Sequence, residues 1–211
     1  MSVQVRVFSR AEVEAGSAAG SDAVISIRGT GRMVSRVVDA AMPEAVLGDV
    51  ESILVLRFDD IGIPDFGRQQ GPTDDHAASV LDFARAVRAR APGARIAVHC
   101  EAGRSRSAAV AIGILADELG SGREAQAVAQ VLGRDVEGHM SPNPRLIRLF
   151  DVHLWRYGSL DAALQAACPA YVAARAYWDR VMIDPAAALK ARAEARRRPR
   201  CNEFDQDLPF D

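Results

Sequence analysis

The sequence is poor in several kinds of residue, and each shortage excludes a class of protein. Its 211 residues include three cysteines, an odd number that does not suit a disulfide framework. No uncharged apolar stretch approaches the roughly 18 residues that a membrane-spanning helix needs. The first ten residues lack the apolar segment of a secretory signal. These shortages predict a cytoplasmic protein that neither crosses nor binds a membrane.

The chain also lacks an excess of charge of either sign. It has 26 basic and 28 acidic residues, a formal net charge of -2, which offers no general attraction to nucleic acid. The run 190–200 is a local exception, with six basic residues and one acidic residue. A solvated helix face is one interpretation of this run, and a patch for an anionic partner is the other. Acidic residues in the tail after it would neutralise such a patch.

Hydrophobic patterning predicts an α/β fold with a mostly parallel central sheet flanked by helices. Short apolar or alternating runs indicate strands at 3–7, 23–28, 52–58 and 95–99. A helix capped by Thr73 and stopped by Pro92-Gly93 separates the last two strands, which predicts a parallel pair with a right-handed crossover. Helical patterns follow at 108–119, 123–133, 144–155, 160–181 with a break at Pro169, and 185–198.

The segment 99–107, HCEAGRSRS, carries the chemistry because it joins a strand to a helix. A short loop that enters a helix N-terminus can turn its backbone N–H groups inward as an anion nest. Gly103 lets the backbone bend there, and Arg106 can bind two oxygens of one phosphate. The same positive surroundings favour a thiolate at Cys100. The loop thus offers a nucleophile and an anion cradle together, and it predicts a phosphate-binding loop between the strand end and the helix.

The pattern of His99, Cys100, Gly103, Arg106 and Ser107 resembles the signature of cysteine-based protein tyrosine phosphatases. A cysteine preceded by about 100 residues is similar to the dual-specificity branch of that superfamily, here of bacterial type. The resemblance implies that the cysteine is the nucleophile, that the arginine binds phosphate, and that the serine eases departure of the thiolate. The histidine would favour the thiolate from behind the loop. Phosphate oxygens would be bound by the backbone of Glu101, Ala102, Gly103, Arg104, Ser105 and Arg106.

A general acid must protonate the leaving oxygen, and the loop at 59–72 is where the resemblance implies it. Asp60 is our choice, since the strand register ends at Phe58 and this residue begins the loop. Asp65, which lies deeper in a loop expected to move, is the second choice. Asp59 is interpreted as a residue that caps the loop. Open α/β sheets bind ligands at the carboxyl ends of their strands, which agrees with this placement.

The resemblance implies a dual-specificity-like phosphatase domain over 1–165, a helical extension over 166–198 and a weakly ordered tail over 199–211. The expected activity is phosphomonoester hydrolysis without metal or other cofactor, on a phosphotyrosine or phosphoserine/threonine protein. A small phosphomonoester, phosphoinositide, nucleotide or sugar phosphate is an alternative substrate. A phosphate-binding adaptor without activity and a sulfur transferase of the rhodanese kind are alternative functions. The sequence predicts no nucleic-acid partner and leaves the oligomeric state open.

Overall fold

The computed structural model describes residues 3–30, 50 and 52–197, which form six strands and eight helices. The strands are β1 (Gln4–Ser9), β2 (Ala23–Arg28), β3 (Ser52–Arg57), β4 (Asp65–Phe66), β5 (Gln69–Gln70) and β6 (Arg95–Cys100). The helices are α1 (Arg10–Glu14), α2 (Asp74–Arg90), α3 (Arg106–Leu119), α4 (Glu124–Leu132), α5 (Pro144–His153), α6 (Ser159–Ala167), α7 (Pro169–Ile183) and α8 (Pro185–Arg197).

The central sheet has four strands in the order β1-β6-β2-β3, and every neighbouring pair is parallel. The inner strands β2 and β6 are buried over almost their whole length, as their near-continuous apolar sequences predict. Because all four strands run the same way, their carboxyl ends meet at one edge. Cys100 therefore ends its strand beside Ser9 of β1. This architecture confirms the predicted α/β fold.

Small residues allow the helices to pack closely over the sheet. Helix α3 is buried from Arg106 to Ala116, and alanine and isoleucine fill most of that length. Gly113 of α3 lies directly against Phe150 of α5, since a Cβ at this glycine would come within 2.5 Å of the ring. The helix that opens at the predicted motif is thus part of the main core, which fixes where its first turn lies.

The C-terminal helices follow the predicted break at Pro169, with α6 ending at Ala167 and α7 beginning at the proline. Cys168 caps α7, and Tyr171 is fully buried in the main core. Further along, α7 and α8 form a second, smaller cluster with the loop that follows β3 (Ile61, Ile63, Phe66, Val181, Trp178 and Ala188). The predicted tail at 199–211 lies outside the described residues. Among the described helices, none combines the length and the apolar character needed to cross a bilayer.

Two short elements were not predicted. Helix α1 follows β1 directly, and its capping box joins Ser9 to Glu12, whose carboxylate accepts from the Ser9 amide at 2.6 Å. The spacing of these two residues is a helix-start signal that the strand pattern before it concealed. In the 59–72 loop, β4 and β5 form a two-residue hairpin. This hairpin packs against α7 and α8 through Phe66 and Gln69.

Candidate active site

The cysteine loop, defined here as residues 100–106, connects the end of β6 to the start of α3. Cys100 is only 3% exposed, and its Sγ lies 3.2 Å from the Oγ of Ser107 in the first turn of the helix. Ser107 itself is fully buried. A hydroxyl at this distance can donate to a thiolate. The two motif residues that the sequence placed seven positions apart are therefore in direct contact.

The loop rests on the β1–α1 junction through a glycine. Gly103 has a φ of +72°, and a Cβ on it would come within 2.7 Å of the backbone nitrogen of Ser9. Both the left-handed backbone and the close approach require glycine here. Beside it, the amide of Arg10 donates to the carbonyl of Glu101 at 3.1 Å. The glycine of the motif is thus explained by packing against a neighbouring strand end.

A second support lies on the other side of the loop, where the chain enters α5. The amide of Ser141 donates to the carbonyl of Arg104 at 3.0 Å, and that of Asn143 donates to the carbonyl of Ser105 at 3.2 Å. In a trans peptide the N–H points opposite to the C=O. Carbonyls bound from outside the loop therefore direct the amides that follow them towards its interior. This is the arrangement of a backbone anion nest.

Arg106 is a buried cation at the end of this loop. It is 8% exposed, and its Nη1 donates to the carbonyl of Phe58 at 3.1 Å. Its Nε is buried and has no hydrogen-bond acceptor in the part of the chain that the structure describes. The carboxylate of Asp60 lies 4.0 Å from that nitrogen. A buried guanidinium with an unused donor is suited to an anionic ligand.

Asp60 is the loop aspartate that the structure brings to the cysteine loop. Its Oδ1 accepts from the Oγ of Ser105 at 2.7 Å and from the Nδ2 of Asn143 at 2.8 Å. The carboxylate is 39% exposed, so it is accessible to a bound ester. Asp65 instead lies exposed in β4, with no hydrogen bond to the cysteine loop among the described residues. Of the two aspartates considered for the acid, the structure brings Asp60 and not Asp65 to the cysteine loop.

Asp59, one residue earlier, is a buried structural carboxylate. It accepts from the amide and hydroxyl of Thr30 at 3.2 and 2.7 Å, and from the amide of Gln70 at 2.9 Å. Its own amide donates to the Gln70 carbonyl at 2.6 Å. These bonds join β2 and β5 to the start of the loop. The interpretation of Asp59 as a loop cap therefore agrees with its contacts.

The remaining motif residues separate into exposed and buried sets. Glu101, Ala102 and Arg104 are exposed at the rim of the loop, whereas His99 is 2% exposed within the sheet. His99 lies level with Phe8 of β1 and Ser26 of β2 in the strand register. The rim residues can touch a substrate, and the histidine can act only from behind the loop.

His76 packs against the side chain of Phe58, the residue whose carbonyl accepts from Arg106. Its ring packs against Phe58 with centroids 4.8 Å apart, and its Nδ1 accepts from the amide of Thr73 at 3.0 Å. Burial lowers the pKa of His76, although the charge of Asp75 opposes this effect. The imidazole is therefore neutral near pH 7, as an accepting Nδ1 requires. This histidine is half-buried in the first turn of α2.

Sequence reasoning missed two residues of the site. Asn143 contacts both loops and also caps α5, where its Oδ1 accepts from the amides of Arg145 and Leu146 at 3.1 Å. An asparagine followed by a proline is a helix-start signal that could have identified the cap but not its second role. Trp178 of α7 packs against the 59–72 loop, and no sequence signal indicates that contact.

A groove of about 670 Å³ opens beside the rim, between the 138–141 segment and α7. Alanines form much of its lining, and aromatic and basic side chains complete it (Arg104, His139, Tyr177, Trp178 and Arg180). The groove extends the accessible surface beyond the cysteine loop. The described residues include no cluster of three or more histidine, cysteine, aspartate or glutamate side chains arranged to hold a metal ion.

Comparison with solved structures gives a match to the human tyrosine phosphatase-like serine/threonine/tyrosine-interacting protein, with a TM-score of 0.52 and 18% identity over 72% of this chain and 92% of that chain. Human DUSP28 matches with a TM-score of 0.48 and 22% identity, covering 77% and 94% of the two chains. PTPMT1 matches with a TM-score of 0.46 and 18% identity, covering 77% of this chain and 95% of that chain. No protein-family model and no curated protein matches the sequence. The resemblance is confirmed at the level of the fold: the chain has the tyrosine-phosphatase-like fold that its cysteine motif predicted.

Proposed function

We propose that this protein hydrolyses phosphomonoesters through a phosphocysteine intermediate at Cys100. The observation that carries the proposal is the Nε of Arg106, a buried donor without an acceptor in the described chain, in the same loop as a buried cysteine. A buried guanidinium with an unused donor can bind an anion there, and a phosphate would supply two oxygens in matching geometry. The inward amides of the cysteine loop would bind the remaining oxygens.

In the first step the thiolate of Cys100 attacks phosphorus. The S–P bond forms while the bond from phosphorus to the leaving oxygen breaks, and that oxygen takes a proton from the carboxyl of Asp60. The contacts of Asp60 with Ser105 and Asn143 hold this carboxyl at the rim. Arg106 would bind the equatorial oxygens, where charge develops in the transition state.

In the second step a water molecule attacks the phosphocysteine. Its proton passes to the carboxylate of Asp60, the new P–O bond forms, and the S–P bond breaks to return the thiolate. The hydroxyl of Ser107, 3.2 Å from the sulfur, would donate a hydrogen bond to the departing thiolate. His99 lies behind the loop, where it would stabilise the thiolate without touching substrate.

The proposed substrate is a phosphotyrosine or phosphoserine/threonine protein in the cytoplasm. The exposed rim supports this choice, because a large leaving group can reach it from solvent. Glu101 and Arg104 carry opposite charges, so the rim has no strong net charge. A phosphoinositide or nucleotide, which carries several negative charges, would favour a rim without the acidic residue. Small phosphomonoesters would also be hydrolysed, since the cysteine loop alone would bind their phosphate group.

The direct test is turnover of para-nitrophenyl phosphate with a chelator present. The wild type should release nitrophenol, and Cys100→Ser should abolish turnover while still binding vanadate, because Arg106 and the amides remain. Cys168→Ser is the matched control, since Cys168 is also a buried free thiol but lies at the start of α7. It should keep full activity.

The other outcomes identify the alternatives. Vanadate binding without any turnover by the wild type would support a phosphate-binding adaptor. Sulfur transfer from thiosulfate would support a rhodanese-like function. Appreciable phosphate hydrolysis by Cys100→Ser would exclude the covalent mechanism.

A further inference from the structure

The aspartate loop, residues 59–72, is covered by the C-terminal helices on the side away from the sheet. Trp178 of α7 lies directly on Gly62, two residues after Asp60. A Cβ at Gly62 would come within 2.4 Å of the Cγ and Cδ1 of this tryptophan and within 2.8 Å of its Cβ. These atoms lie at the base of the side chain, where it has little freedom to move away. The loop backbone at Gly62 and the Trp178 side chain are therefore packed so closely that only glycine fits between them.

The same helices hold the loop at its far end. The ring of Trp178 meets Phe66 edge-on, with centroids 5.8 Å apart. From α8, the Nη1 of Arg192 donates to the side-chain carbonyl of Gln69 at 2.7 Å, and its guanidinium lies 5.7 Å from the centroid of Phe66. Both strands of the β4–β5 hairpin are thus tied to α7 and α8 next to the turn. The loop has few ways to move without displacing these side chains.

Trp178 is itself fixed to the framework that carries the site. Its neighbour Asp179 accepts from the Nη2 of Arg148 in α5 at 2.5 Å. At its N-terminus, α5 presents Asn143, which donates to Asp60 at 2.8 Å and to the carbonyl of Ile61 at 3.1 Å. The segment from Asp60 to Gly62 therefore lies between two supports of one helix pair. Asn143 holds its first part, and Trp178 holds its last residue.

We propose that Trp178 is a positioning residue that fixes Asp60 over the cysteine loop by packing on Gly62. This proposal rests on the proposed function, in which Asp60 is the general acid. The alternative is that Trp178 only fills the small apolar cluster beside Val181, in which case its loss lowers stability alone. The positioning role and the packing role predict different effects of the leaving group on the rate of hydrolysis. A displaced acid slows substrates that need a proton and has less effect on those that leave without one.

The experiment compares kcat/KM for phenyl phosphate and para-nitrophenyl phosphate, because this constant reports the first chemical step. Trp178→Ala should lower the value for phenyl phosphate by roughly tenfold or more, since a misplacement of about 1 Å can cost about a hundredfold. The fall for para-nitrophenyl phosphate should be smaller, and vanadate affinity should not change. Trp178→Phe keeps the Cβ, Cγ and Cδ1 atoms that meet Gly62 and should keep the wild-type ratio. Trp155→Ala is the matched control, since that tryptophan is 74% exposed in the turn after α5.

Gly62→Ala tests the same contact from the loop side and does not depend on the folding of Trp178→Ala. The added methyl should push the loop from the tryptophan and reproduce the selective loss on phenyl phosphate. In the Gly62→Ala/Trp178→Phe pair the clash remains, so the selective loss should persist. In Gly62→Ala/Trp178→Ala the nearest clashing atoms are removed but so is the support of the loop, and the ratio should match that of Trp178→Ala alone.

The controls separate failure of this proposal from failure of the proposed function. Asp60→Asn should show the selective loss in full. If it does and both Trp178→Ala and Gly62→Ala keep the wild-type ratio of the two substrates, Trp178 is a packing residue and the proposal is wrong. If the wild type hydrolyses neither substrate, the proposed function is wrong. If only thermal stability falls in the two variants, the positioning role is excluded as well.

Discussion

The cysteine loop and the aspartate loop meet at one edge of the sheet, but different kinds of contact hold them there. The cysteine loop is a contiguous motif: a strand ends at Cys100, a helix begins at Arg106, and Gly103 fits against the neighbouring strand end. Its carbonyls are held by backbone amides at the start of α1 and just before α5. The aspartate loop is held by side chains far away in sequence, among them Thr30, Asn143 and Trp178. The first loop is therefore supported mainly through the backbone, and the second through side chains that the tertiary fold brings in.

The difference suggests a division of work. The motif of the cysteine loop and the backbone hydrogen bonds to its carbonyls keep the nucleophile and the phosphate donors in register. The acid depends on remote segments, so changes in those segments alter proton transfer while phosphate binding persists. Each prediction below changes one of the two loops, or the residue that joins them.

The largest effect among these variants is expected at Arg106, within the cysteine loop. Arg106→Lys keeps the charge but loses the planar pair of donors that fits two phosphate oxygens. We expect kcat/KM to fall on the order of 10² or more for every substrate, by analogy with the loss of one transition-state donor. Steady-state kinetics with phenyl and para-nitrophenyl phosphate measures this. A rate close to wild type would mean that Arg106 is structural, through its bond to Phe58.

A somewhat smaller and selective effect is expected at Asp60. Asp60→Asn removes the proposed proton donor, so it should slow phenyl phosphate by roughly 10² and para-nitrophenyl phosphate much less. Asp65→Asn is the matched control and should keep the wild-type ratio of the two substrates, since Asp65 lies exposed in β4. Steady-state kcat/KM for both substrates checks this. A selective loss in Asp65→Asn but not in Asp60→Asn would assign the acid to Asp65 and refute the division of roles between these aspartates.

The smallest effect is expected at Asn143, which touches both loops. Asn143→Ser retains an oxygen for the cap of α5 but loses the amide that donates to Asp60 and Ile61. We expect kcat/KM for phenyl phosphate to fall about tenfold, equivalent to about 1.4 kcal/mol of lost positioning. Asn143→Ala should show a similar kinetic loss and in addition lower the free energy of unfolding by about 1 kcal/mol, because the cap is lost. Equal kinetics in wild type and Asn143→Ser would show that Asn143 does not help to position the acid.

The same contrast explains which parts of the molecule the sequence could predict. The strands follow from β-branched runs, α2 from Thr73 as a cap, and the helix after the cysteine from small apolar residues, all of which act over a few positions. The motif residues from His99 to Ser107 are likewise adjacent in sequence, so their grouping was predictable. Asn143 lies 83 positions from Asp60, and Trp178 lies 116 positions from Gly62. No local sequence pattern indicates contacts over such separations. The choice of Asp60 over Asp65 relied on strand register, and the contacts with Ser105 now support it.

The central claim is that Cys100 carries the phosphoryl group during turnover. The most direct measurement is rapid acid quench of Ser107→Ala with a radiolabelled phosphomonoester, followed by peptide mapping. Loss of the hydroxyl 3.2 Å from the sulfur should slow the second step, so that the intermediate accumulates. The account predicts a burst of the released alcohol and stoichiometric label on the peptide that contains Cys100. Steady turnover with no burst and no label on that peptide would contradict it.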